Sequence, residues 1–129
     1  MLVKALYQWQ IAETSESDLL EQFAAAPEYS RIDQEYFRAL LHVAIDDAHD
    51  LDAIVAARAD RDIAQLDAIG RAVLLTALAE LRERADVPTK VIINEAVDLA
   101  KRYGPSESHR FVNAVLDKAA AAIPGRQLA

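Results

Sequence analysis

Cysteine is absent from this 129-residue chain, so it offers no disulfide, no thiolate metal site and no cysteine nucleophile. Glycine occurs three times and proline four times. That is too little glycine for a phosphate-cradling loop, and no Gly-x-Ser-x-Gly elbow surrounds a serine. Long hydrophobic runs are missing as well. The longest uncharged apolar stretch, residues 72–79, falls far short of the ~20 residues that cross a bilayer, so no membrane association is expected. Met1 is followed within a few residues by Lys4 and no small-residue cleavage pattern follows, so no signal peptide is expected and the compartment is read as the cytoplasm.

Positive charge is scarce too. Fourteen basic side chains face 21 acidic ones, a net charge of −7, which disfavours binding nucleic acid through bulk electrostatics. The imbalance is uneven. Residues 1–86 carry −9 and residues 87–129 carry +2, so any nucleic-acid face belongs in the last third of the chain.

What remains is rich in alanine, leucine and charged residues, the composition of helices. Apolar positions recur at helical spacing in seven segments, with no strand-type alternation and no repeat. Leu2, Leu6 and Trp9 make the stripe of the first, and the polar run 14–18 supplies a break and a new N-cap. A second helix with Leu19, Leu20 and Phe23 must end before Pro27. Asp33 is a natural cap for a third, and Asp50 for a fourth. The fifth, residues 66–84, is apolar over much of its circumference and is the expected central helix. Gly70 inside it predicts a packing reason, because glycine there costs about 1 kcal/mol relative to alanine. Pro88 suits the first position of a sixth helix, which Gly104 and Pro105 stop, and Ser106 opens a seventh. Residues 126–129 read as a frayed tail. The expectation is an all-α fold, one domain over residues 1–129.

Catalysis finds little support, and no catalytic residue is assigned. His42, Asp46 and His49 could share a helical ridge and bind zinc, but they sit at a helix junction where caps and solvated charge explain them, so no metal site is expected. No cofactor is expected either. The turn at 104–109 gathers Lys101, Arg102, Arg110, Tyr103 and Phe111. Arginine offers forked donors to phosphate, and an aromatic ring can stack an unpaired base. Composition equally allows Phe111 to be a buried helix residue.

The motifs Asp86-Val87-Pro88, Ile93-Asn94-Glu95-Ala96, Leu99-Ala100-Lys101 and Phe111-Val112-Asn113, leading into Val115-Leu116-Asp117, together with the opening Ala5-Leu6-Tyr7-Gln8-Trp9-Gln10 and the pair Tyr36-Phe37, resemble the NusB family of bacterial transcription antitermination factors. The resemblance implies about seven helices in two small bundles and no enzymatic activity. It also implies two partners: NusE, which is also a small-subunit ribosomal protein, and single-stranded RNA of the boxA type. Together they help RNA polymerase read through terminators, notably in ribosomal RNA operons. On that likeness Glu107, Ser108, His109, Arg110 and Phe111 would lie against RNA, with Phe111 stacking and Arg110 meeting phosphate. Lys4, Tyr7 and Lys101 would border the same surface, and NusE would dock on a face that includes Leu66, Gly70 and Leu75.

This sequence departs from the family pattern in three places. Met1, Leu2 and Val3, with only Lys4 basic, stand where the family has an arginine-rich segment. Gly70 and Leu75 replace an acidic residue and an arginine, which bears on NusE affinity, and Ala114 replaces a glycine. Two readings of the missing arm are open: a start that continues upstream with basic residues, or a diverged paralogue that kept the scaffold with weak RNA binding. A helical protein–protein scaffold, including a homodimer, is the alternative of a different class.

Overall fold

A computed structural model of the chain describes residues 1–59 and 66–126. Among these, seven α-helices and one 3₁₀ turn form the structure: α1 (Leu2–Ala12), α2 (Glu16–Ala24), the 3₁₀ turn (Pro27–Arg31), α3 (Gln34–Asp46), α4 (Ala48–Arg58), α5 (Ala68–Glu83), α6 (Thr89–Tyr103) and α7 (Ser108–Ala120). The all-α expectation holds.

Local chemistry accounts for most of the boundaries. The Ser15 hydroxyl accepts from the Asp18 N–H, the Asp33 carboxylate from the Tyr36 N–H, and the Asp67 carboxylate from the Gly70 N–H, each satisfying an orphan donor of a first turn. Helix α6 begins at Thr89, with Pro88 as its N-cap where it was expected as the first residue, and two further expected starts move. Helix α4 begins at Ala48, before Asp50, and Asp47 at its start pairs with Arg82 on α5 at 3.1 Å. Helix α7 begins at Ser108, after Glu107 in left-handed geometry (φ 71), so Ser106 lies outside it.

Helix α5 is the hub. Residues 72–79 are buried on every side, because α1, α3, α6 and α7 all pack on α5, while α4 touches α3, α5 and α7. An apolar helix without a solvent stripe needs this arrangement. Phe37 anchors the α2–α3 side: its ring stacks on Phe23 at 6.0 Å and meets the Tyr29 ring edge-on at 5.9 Å. One polar node joins three helices. Arg71 on α5 donates to Asp52 on α4 through Nε (3.1 Å) and Nη2 (2.6 Å) and to Gln10 Oε1 on α1 (3.3 Å), and its guanidinium lies 5.3 Å from the Trp9 ring centroid. Gln10 in turn donates to the Ala68 carbonyl at 2.8 Å, so α1 is held against the start of α5.

The packing reason for Gly70 lies in that same start. A Cβ there would stand 2.8 Å from Asp67 Oδ1, the N-cap itself, and 3.0 Å from the Leu66 side chain. The tail expectation fails at its first residue. Arg126 is 6% exposed and donates to carbonyl oxygens at the end of α5; residues 127–129 lie outside the described residues.

Candidate nucleic-acid interface

Helix α1 buries Val3, Ala5 and Leu6 and turns Lys4, Tyr7 and Ile11 outward. Tyr7 and Ile11 are four apart and therefore share a ridge. They face the end of α6, where Tyr103 is 47% exposed with the Arg102 guanidinium 5.9 Å from its ring centroid. Between them lies an apolar hollow of about 410 Å³, lined by Lys4, Tyr7, Ile11, Phe23, Ile69 and Tyr103 among others. Tyr7 is 39% exposed and Ile11 62%, so α1 presents a ring and aliphatic surface to the outside.

A second hollow of about 240 Å³ lies between the residues just before α5 and the turn that joins α6 to α7. Its walls are Leu66, Asp67, Pro105, Ser106, Glu107, Ser108 and Phe111, a more polar set. The turn between α6 and α7 is tight. A Cβ on Gly104 would come within 2.5 Å of Ser108 Oγ and 2.8 Å of the Ala100 carbonyl, which leaves glycine the fitting residue. Ser108 Oγ is buried with no hydrogen-bond partner among the described residues. Glu107 holds its left-handed backbone at the mouth, a conformation a side-chain-bearing residue adopts at a cost. From there its carboxylate accepts from Arg110 Nε at 2.8 Å, across the first turn of α7, with both side chains well exposed.

The expected site residues therefore divide. Lys4 and Tyr7 line the first hollow, Glu107 and Ser108 the second, Arg110 projects outward beside them, His109 is half-buried, and Lys101 is exposed on α6. The stacking role expected of Phe111 needs correction. Phe111 is 7% exposed and belongs to the core with Val112, Val115 and Leu116, while also lining the second hollow. Helix periodicity explains the burial, since 111, 115 and 119 point inward together. The partner-facing roles of Gly70 and Leu75 are corrected on the same ground: Gly70 is buried beneath Asp67 and Leu66, and Leu75 is 1% exposed in the hub helix, so of the three only Leu66 reaches the surface. Ile11 went unassigned in the sequence; an apolar residue off the buried stripe of α1, four from Tyr7, was the available signal.

His42 does not join a metal cluster. It turns to Glu16 on α2, with Nδ1 3.1 Å from the carboxylate, and that contact raises its pKa. Among the described residues no group of three His, Asp or Glu side chains is placed to hold a metal ion, and no helix is long and apolar enough to cross a membrane.

The sequence profile of the NusB family matches residues 1–121. The chain belongs to the NusB family. The transcription antitermination protein NusB of Idiomarina loihiensis is 48% identical over 119 residues, covering 92% of this chain and 86% of that protein. The NusB of Sodalis glossinidius is 46% identical over 126 residues, covering 97% and 91%. Among solved structures, T. maritima NusB superposes with a TM-score of 0.79 at 27% identity, covering 95% of this chain and 87% of that one. The NusB fold thus extends over nearly the whole chain, and both hollows lie within the stretch that the family profile matches.

Proposed function

We propose that this chain is a transcription antitermination factor that acts as one half of an RNA-binding pair. Its partner is NusE, and the pair binds boxA-type single-stranded RNA and promotes read-through by RNA polymerase, notably in ribosomal RNA operons. It works in the cytoplasm and catalyses no reaction; its role is to present a surface. Family membership supports the activity, since the relatives named above are antitermination proteins.

The observation that carries the division of labour is the pairing of an apolar hollow with a polar one at the start of α5. The apolar hollow, with Val3, Ile11 and Ile69 among its walls, suits a protein side chain, and Leu66 adds an apolar wall to the polar hollow. Lys4 at the apolar hollow, Arg110 paired with Glu107 at the polar one, exposed Lys101 on α6 and half-buried His109 are the groups able to meet phosphate, and Tyr7 and Tyr103 are the exposed rings that a base can reach. A chain with net charge −7 makes few phosphate contacts alone, so RNA binding should depend on charge that NusE supplies.

Titration of a labelled boxA-type single strand with this chain, with NusE and with both tests the reading. Weak binding by the chain alone and a clear gain with NusE is the expected result. No gain on adding NusE would remove the proposed partnership and leave a helical scaffold, homodimeric or otherwise, as the better description.

A further inference from the structure

The six residues that follow α7, 121–126, pack against the junction of α5 and α6. The Ile123 N–H donates to the Ala120 carbonyl at 3.2 Å, and Ile123 itself is 2% exposed, a second apolar anchor beyond the helix. The Arg126 N–H then donates to the Ile123 carbonyl at 3.0 Å, closing a four-residue turn with Pro124 and Gly125 at its centre. Gly125 has φ +84, so the sequence Ile-Pro-Gly-Arg carries the signature of a type II turn: proline fixes the second position and glycine takes the left-handed third. The turn aims the Arg126 side chain inward.

Its guanidinium enters a nest of oxygen acceptors at the junction of α5 and α6. Nε donates to the Leu81 carbonyl at 2.9 Å, Nη1 to the Val87 carbonyl and to Thr89 Oγ1 (3.3 Å), and Nη2 to the Arg84 carbonyl and, at 3.5 Å, to the Glu80 carbonyl. Glu80 and Leu81 belong to the last turn of α5, where the helix dipole is negative; the Glu80 carbonyl also accepts from the Arg84 N–H at 2.8 Å. Arg84 and Val87 lie in the connecting turn, which is itself closed by the Val87 N–H donating to the Arg84 carbonyl at 3.0 Å. Thr89 is the first residue of α6. One side chain about forty positions away in sequence thus holds the end of one helix, the turn and the start of the next. A planar fork with five N–H donors can serve such a spread of acceptors; an ammonium group cannot reach them all.

We propose that residues 121–126 are a strap that locks the α5–α6 junction through an intramolecular guanidinium site. Burying the charge is tolerable because the helix end and the surrounding carbonyls solvate it, with the Glu80 and Asp86 carboxylates near enough to feel it. The lock is local: releasing it frees the turn and the first turn of α6, while the α1–α3–α5 packing stays in place.

Amide hydrogen exchange on the full chain tests this, comparing the native sequence with Arg126→Lys and Arg126→Ala. The Val87 amide, and the Ile92 amide that donates to the Pro88 carbonyl, are the reporters of the junction, and the amides of Leu41 on α3 and Val73 near the start of α5 are the distant controls. Exchange at Val87 and Ile92 should quicken about ten-fold or more in Arg126→Lys, which keeps charge and most of the stem and so the fold, with the controls changing much less. Arg126→Ala should quicken it at least as much. Native protection at Val87 in Arg126→Lys, or an equal loss at reporters and controls, would overturn the strap.

Discussion

The Tyr36 hydroxyl, on α3, donates to Glu80 Oε2, on α5, at 2.6 Å, and the Arg84 guanidinium lies 4.5 Å from the centroid of the same tyrosine ring. Burial pushes the Glu80 carboxyl above its ordinary range, with the Glu95 charge adding to the rise and the tyrosine hydrogen bond and the Arg84 charge opposing it. Burial and the same hydrogen bond also raise the tyrosine well beyond its ordinary value. A folded state that holds a proton more tightly than the unfolded chain gains stability below the unfolded pKa and loses it as pH climbs through the folded one. The contribution of Glu80 is therefore full below about pH 4 and lost as pH rises through its raised value. Glu80→Gln keeps an acceptor for Tyr36 and should flatten that fall when urea midpoints are measured across pH. Asp86 acts in the opposite sense, since the Arg84 hydrogen bond holds its carboxyl at about 2. Its contribution is present above about pH 4 and fades only on further acidification, so Asp86→Asn should lower stability throughout the range above about pH 4 and flatten the fall on the acid limb, leaving the fall at higher pH as it is. An unchanged fall in Glu80→Gln would mean that Glu80 titrates as an ordinary surface residue.

Phe111 is a core residue by burial, and its substitutions should behave accordingly. Phe111→Ala should lose about 3–5 kcal/mol of folding free energy, read from urea unfolding, because a ring-sized cavity opens among Val112, Val115 and Leu116. Phe111→Leu fills most of that space and should fold; its affinity for the boxA-type strand in the presence of NusE should match the native chain. Tyr7→Leu and Tyr103→Leu remove exposed rings instead, and each should weaken RNA binding by about 1–3 kcal/mol if a base stacks there. A folded Phe111→Leu that loses RNA affinity by that margin would return the stacking role to Phe111.

The contrast between Phe111 and Tyr103 also marks where sequence reading succeeds. Helix existence was legible because periodicity and caps act locally: Ser15 and Asp33 close their first turns as their sequence context predicts. The hub role of α5 was legible because residues 72–79 have no polar face. Side-chain exposure at the site was not, because it depends on which neighbour arrives from elsewhere in the chain. Phe111 and Tyr103 look alike in a run of basic and aromatic residues, yet one faces the core and the other the α1 ridge. Arg126 was illegible for the same reason. Its acceptors are carbonyls some forty residues earlier, and a terminal Pro-Gly-Arg reads locally as loose tail.

Arg110 carries the most direct test of an RNA-facing rim. It is held by Glu107 in an ion pair whose members are both largely in solvent, a kind of contact worth about 0–1 kcal/mol. A phosphate can therefore displace the carboxylate at little cost, but it must approach a fixed negative charge to do so. Glu107→Gln removes that repulsion and leaves Arg110 in place, so RNA binding in the presence of NusE should tighten several-fold with little change in folding stability. Arg110→Ala should weaken binding and reduce the slope of log affinity against log salt by about 0.7, the value of one phosphate contact to a single strand. In the double variant the gain from Glu107→Gln should vanish, since the carboxylate acts chiefly by occupying and neutralising this arginine. If Arg110→Ala leaves the salt slope unchanged, the RNA path does not cross the first turn of α7, and the phosphate contacts must come from Lys4, Lys101 and the partner instead.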